Sequence, residues 1–133
     1  MLRHEYVHFR IHDICGGRWL PRWYDEGLAQ VLSKGIRPVD LAFLEPLKHK
    51  CRHIWALADA AFSSAHDDHA MAYLQSYAVL CYLVRQFGEQ KAILVLTHMA
   101  DSGVDFPTSL DASLGLSVEE LDRQWWSILP SAG

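Results

Sequence analysis

The chain has 133 residues, half of them apolar and 21% charged, which is ordinary globular composition for one domain and too apolar for a disordered chain. Twelve basic against sixteen acidic residues give a formal net charge of −4 with no basic run, which argues against sequence-independent nucleic-acid binding. Three cysteines, Cys15, Cys51 and Cys81, form no C-x-x-C pair and so suit neither a disulfide scaffold nor a cysteine-rich zinc site.

The pattern is helical almost throughout, with no alternating strand-like runs and no hairpin signal. Breakers at Gly16-Gly17, Pro21, Gly35 to Pro38, Ser63-Ser64, Gly88, Gly103 to Pro107 and Gly115 divide it. Between them the reading predicts helices at about 2–13, 22–34, 39–49, 51–62, 68–87, 89–101, 106–114 and 117–128. In the fifth, Met71, Leu74, Ala78, Cys81, Tyr82 and Val84 make an apolar stripe, and Gly88 provides the stop. The eighth opens with a capping box, Ser117-x-x-Glu120, followed by Leu121 and Trp125 on one face. The longest clean apolar run near the middle, Ala78 to Val84, is far short of a membrane span. No repeat or linker interrupts the chain, so 1–133 is read as a single domain. The opening MLRHEYVHFR carries no apolar signal-peptide core, and with the free cysteines this leans toward the cytoplasm.

Eight histidines are many for this length, and they direct attention to metal chemistry. His4-Glu5-Tyr6-Val7-His8 is an H-E-x-x-H match. Positions i and i+4 of a helix share a face, so His4 and His8 can bring two ring nitrogens to one Zn²⁺. Glu5 lies about 100° round the helix, placed to take a proton from zinc-activated water but not to join as a ligand. A catalytic zinc needs a third protein ligand. His12 is about 12 Å along the axis from His4, too far to share one ion with it. The metzincin extension would need Gly at 11 and His at 14, where Ile11 and Ile14 stand. Glu26 remains: Gly16-Gly17 ends the first helix, Pro21 opens the second, and a helix running back past the first would carry Glu26 to the histidine pair.

His4, Glu5 and His8, followed by Pro21-x-Trp23-x-x-Glu26-Gly27-Leu28-Ala29, resemble the gluzincin metallopeptidases, the peptidase MA-like group. Seventeen residues separate His8 from Glu26, one fewer than in aminopeptidase-N-type enzymes. The stretch from Ala72 to Leu83 resembles the helix that in those enzymes carries the oxyanion-binding tyrosine. Phe87-Gly88-Glu89 and the segment from Leu114 to Trp125 resemble further elements of the group. The resemblance implies a mainly α, zincin-like helical core made of a zinc helix, a glutamate helix and a C-terminal helical subdomain. The small N-terminal β-sheet of the family is expected to be missing, as in an N-terminally truncated or pared-down relative. It implies one zinc per chain on His4, His8 and Glu26, Glu5 as general base, and a peptide or protein as substrate. Tyr73 corresponds to the oxyanion-stabilising tyrosine, and Tyr77, four residues on, shares its face. The rival reading is a catalytically inactive, zinc-stabilised helical module that binds a partner protein.

The other polar clusters have plainer readings. Asp25 and Gln30 are candidates to hold the second ring N–H of a ligand histidine, or are solvated polar residues. His49 and His53, flanked by cations, read as a solvated helix face. His66-Asp67-Asp68-His69 reads as a loop and helix N-cap. Trp19, Trp23, Trp125 and Trp126 read as core and packing residues.

Overall fold

A computed structural model of the chain describes residues 4–57, 59–62 and 69–128. The protein is mainly α, with no strand among the described residues: α1 (His4–Ile14), α2 (Arg22–Lys34), α3 (Pro38–Ala42), α4 (His69–Phe87), α5 (Glu89–Ser102), α6 (Phe106–Leu114) and α7 (Val118–Ile128). None of the described helices is long and apolar enough to cross a membrane.

α1 buries a narrow stripe, Val7 and Ile11, that continues into Cys15. The chain then reverses on two successive left-handed glycines, Gly16 and Gly17, each at φ +71°. Their N–H groups donate to the carbonyls of Asp13 and His12, satisfying two of the orphan acceptors at the helix end. α2 begins directly after Pro21, whose carbonyl accepts the N–H groups of Tyr24 and Asp25. The helix returns against α1 and is buried continuously from Trp23 to Ala29.

Such burial on nearly every face means that α2 is sandwiched, with α4 across from α1. α2 approaches α4 closely at Gly27. A Cβ added there would lie 2.3 Å from the Ser76 carbonyl oxygen and 2.7 Å from Leu80 Cδ2. α4 is likewise buried beyond the expected stripe: Gln75, Ser76, Tyr77, Val79, Leu80 and Leu83 are covered, while Leu74, Tyr82 and Val84 are only half-buried. α4 is a central helix, and a one-sided pattern understates its core.

Gly88 ends α4 at φ +94°, its N–H bonded to the Val84 carbonyl. α5 and α6 form a helical hairpin, closed by left-handed Gly103 and by Asp105, whose side chain accepts the Thr108 N–H. Ser117 Oγ accepts the Glu120 N–H, the N-cap bond expected at α7.

Two expected helices do not form. In place of 39–49 stand the five-residue α3 and a 3₁₀ segment, Glu45–Lys50. Pro46 offers no N–H to the preceding turn and disfavours α conformation at Glu45, which prevents a continuous helix. In place of 51–62 the described residues make short 3₁₀ turns at Ile54–Ala56 and Asp59–Phe62. Side chains from other helices satisfy this segment's backbone at Arg52 and Ile54. Gln75 accepts from the Arg52 N–H (2.9 Å) and donates to the Arg52 carbonyl (2.5 Å). Buried Asp122 accepts from the Ile54 N–H (2.7 Å), His53 Nδ1 (2.8 Å) and Trp126 Nε1 (3.1 Å). His53 is therefore not on a helix face with His49: it bonds Asp122 and stacks on Trp55 at 4.4 Å.

Among the tryptophans, Trp23 and Trp125 are core and Trp126 is half-buried, but Trp19 is 72% exposed. It sits between the glycine turn and Pro21, on no helix face that could be buried. The expected N-cap at Asp67 or Asp68, with His66, lies outside the described residues.

Candidate metal centre

The antiparallel return of α2 sets consecutive carboxylates against successive turns of α1. Asp25 meets His8 and His12, and Glu26 meets His4 and His8. His4, His8 and Glu26 each present one ligand-type atom, and these lie within 4.8 Å of one another. His8 Nε2 is 3.2 Å from Glu26 Oε1, His4 Nε2 is 3.3 Å from Glu26 Oε2, and the two Nε2 atoms are 2.8 Å apart. Zinc bond lengths and a tetrahedral angle require ligand atoms about 3.3–3.5 Å apart. The two histidine–glutamate distances, 3.3 Å and 3.2 Å, lie at or just below the lower end of that range, and the histidine pair is tighter.

The donor set also fits a cation. Glu26 is 4% exposed, and its Oε2 accepts no hydrogen bond among the described residues. A buried carboxylate with one oxygen left open, facing a ring nitrogen from each of two histidines across its two oxygens, is what a bound cation satisfies. Asp25, also buried, can only accept, so Nδ1–H of His8 donates to Asp25 Oδ1 at 2.7 Å. That bond places the lone pair of a neutral His8 on Nε2, facing Glu26 and His4.

The charges reinforce one another. Hydrogen bonds to Asp25 and Glu26 raise His8 from its ordinary 6.5 to about 9. Burial works to raise the Asp25 carboxyl, but the bond to His8 and the nearby His12 outweigh it and hold it below its usual value. Burial likewise works to raise Glu26, and His8, His4 and Arg22 together hold it low. These carboxylates thus favour a proton on His8, which a metal bound there would displace.

Glu5 stands exposed on α1, one position beyond His4 and about 100° round. Tyr73, half-buried on α4, comes to the edge of the cluster: its hydroxyl accepts from Arg22 Nη2 at 3.4 Å, and its ring meets Phe62 edge-on at 5.1 Å. Tyr77 does not join them. Its hydroxyl donates to the Gly35 carbonyl and accepts the Arg37 N–H, both at 2.7 Å, so it closes the far end of α2. Gln30 is also committed elsewhere, donating to the Tyr73 carbonyl at 2.9 Å and thereby tying α2 to α4.

Two members of the cluster escaped the sequence reading. His12, unable to share an ion with His4, instead donates Nε2–H to Asp25 Oδ2 at 3.1 Å, so one carboxylate holds two histidines. Its i+4 spacing from His8 was the available signal. Arg22 lies one turn before Glu26 on the same face of α2 and reaches Glu26 Oε1 at 3.5 Å as well as Tyr73. Its guanidinium also lies 5.4 Å from the Phe62 ring centre.

Fold and site together define a mainly α protein with a His/His/Glu cluster of metal-binding type on two antiparallel helices. The sequence model of the Peptidase MA superfamily matches residues 2–131, and the chain belongs to that superfamily. The superfamily is in general zinc-dependent, and membership points to a metallopeptidase-like function toward protein or peptide. No curated protein and no solved structure matches the chain.

Proposed function

We propose that the chain is a zinc metallopeptidase of the gluzincin type, with His4, His8 and Glu26 as its three protein ligands. The observation that carries this reading is the convergence of those three side chains, with Glu26 Oε2 buried and without a hydrogen bond among the described residues. Zinc, when bound, supplies Lewis acidity toward a carbonyl oxygen and lowers the pKa of water.

The remaining chemistry belongs to the chain. Glu5, exposed beside the ligand pair, takes the proton of the attacking water and returns it to the leaving amine. Arg22 donates to the Tyr73 oxygen, which leaves the Tyr73 proton free for an oxyanion. Asp25 fixes the His8 ring and its tautomer, and His12 anchors Asp25 from the other side.

The test is zinc per chain by elemental analysis of protein purified without added metal, alongside Glu26→Ala and Glu5→Gln. About one zinc in the wild type, lost in Glu26→Ala, supports the ligand set. Glu5→Gln should keep its zinc and lose peptide hydrolysis. A folded wild-type chain without zinc, or undiminished turnover in Glu5→Gln, overturns the proposal.

A further inference from the structure

Large apolar side chains left in water beside a polar site are informative, because scattered surface apolar residues do not gather on one concavity. Trp19 is 72% exposed and Trp55 53% exposed, and they line the same groove. Trp23, Phe106 and Val118 complete its apolar wall, and the groove holds about 280 Å³. That is just below the roughly 300–1,000 Å³ of pockets that engulf a drug-sized ligand, and it suits one large side chain.

Arg22 is the only charged residue of the described lining. The same Arg22 touches Glu26 Oε1 and the Tyr73 hydroxyl through Nη2. Arg22 thus touches both, so the groove and the metal-binding cluster lie no more than about one arginine side chain apart. An extended peptide, at about 3.3–3.6 Å per residue, covers that in about two residues.

We propose that this groove is the specificity pocket of the peptidase site, taking one bulky apolar side chain, aromatic above all, from a residue flanking the scissile bond. The inference rests on the metallopeptidase reading above and adds its substrate class. Flat indole and phenyl walls favour an aromatic guest through offset and edge contacts. Arg22 disfavours a basic side chain at the same position and presents N–H donors to the peptide backbone as it passes from groove to cluster.

The test uses the full chain in two arms. In the first, Glu5→Gln protein is titrated by calorimetry with blocked tripeptide amides that differ only in a central Phe, Leu, Gly or Lys. Phe and Leu peptides should bind at least about tenfold more tightly than Gly and Lys, the scale on which an apolar pocket discriminates. Trp19→Ala, made in the same background, should remove most of that difference. Because Trp19 is exposed, its urea midpoint should not move, and Trp55→Ala serves as the independent second variant. Equal affinities for Phe and Gly peptides, or a preference untouched by both tryptophan substitutions, overturn the pocket.

The second arm digests a mixed peptide library with the wild type and reads the residues flanking each cut. Enrichment of Phe, Trp or Leu on one side of the cut, lost in Trp19→Ala, supports the pocket. Cleavage without enrichment overturns it while leaving the peptidase reading intact. Selective, Trp19-dependent binding with no cleavage overturns the peptidase reading instead. Groove occupation by a second copy, seen as a dimer that Trp19→Ala dissolves, overturns the pocket as well.

Discussion

Gly27→Ala separates packing from helix propensity, because the two effects oppose each other at this position. In an exposed helix interior the change stabilises by about 1 kcal/mol. Here the new Cβ would lie 2.3 Å from the Ser76 carbonyl oxygen and 2.7 Å and 2.9 Å from Leu80 Cδ2 and Cγ. The Leu80 side chain can rotate, but the Ser76 oxygen belongs to the backbone of α4 and moves only with the helix. Relief to the roughly 3.0 Å floor of real contacts requires α2 and α4 to part by about 0.7 Å. Overpacking of this kind costs about 1–3 kcal/mol, and a rigid backbone contact belongs at the upper end. After the propensity gain, the net loss is about 2 kcal/mol, or a melting point lower by roughly 6–10 °C for a chain of this size. Glu26 precedes Gly27, so the displacement also shifts a proposed ligand by more than the ~0.2 Å that metal sites tolerate. Urea denaturation of chelated protein, with and without the substitution, reads the first effect, and zinc titration reads the second. A midpoint equal to or above that of wild type would refute the argument, since propensity alone would then govern the position.

Asp25→Asn weakens the hold on His8 and frees its tautomer, so zinc affinity should fall about 10- to 100-fold with the fold retained; competition with a chromophoric chelator measures it. Tyr73→Phe should lower kcat about 10²- to 10³-fold. Tyr77→Phe should leave kcat unchanged and cost about 1–3 kcal/mol of stability, since its hydroxyl serves Gly35 and Arg37. Asp122→Ala leaves the Ile54 N–H without its acceptor and should lower the unfolding free energy by about 2–3 kcal/mol in urea. In chelated protein, His8 is raised from 6.5 to about 9, so its contribution is complete below about 6.5 and disappears as pH rises through about 9. The loss over that window is at most about 3–4 kcal/mol. Asp25 and Glu26, held low, contribute above the ordinary carboxylate range and lose their share as the solution is acidified. A urea midpoint of chelated protein that stays flat between pH 6.5 and 9.5 would contradict the His8 argument.

The legible parts of the fold are those governed by neighbours in the chain. α2 follows its expected limits, Arg22 to Lys34, because a proline precedes it and Gly35 follows it. The cap at Ser117 and the stop at Gly88 are likewise local. Residues 39–57 do not follow their apolar pattern, and at Arg52 and Ile54 the backbone is satisfied from a distance, by Gln75 on α4 and Asp122 on α7. Periodicity contains no trace of such bonds. Pro46 was a local signal against a helix there, and it governs the break. Within the candidate site, the His4 and His8 pair follows from i, i+4 spacing, and Glu26 from the reversal at Gly16-Gly17. The groove had no sequence signature, since Trp19, Trp55 and Phe106 come from three remote segments.

α2 explains why these features occur together. Successive positions of one helix face different neighbours, and α2 assigns each a separate task. Asp25 and Glu26 address α1, Gly27 admits α4, and Arg22, one turn earlier, stands between the metal cluster and the groove. Any shift of α2 along or away from α4 therefore moves the proposed ligand Glu26, the histidine anchor Asp25 and the groove wall in concert. The close approach at Gly27, where even a Cβ would lie 2.3 Å from the Ser76 carbonyl oxygen, leaves α2 no room to move toward α4 with a larger residue there. Substitutions that disturb α2 packing should thus change zinc affinity and side-chain preference together, whereas Trp19 and Asp25, which touch only one of the two, should separate them.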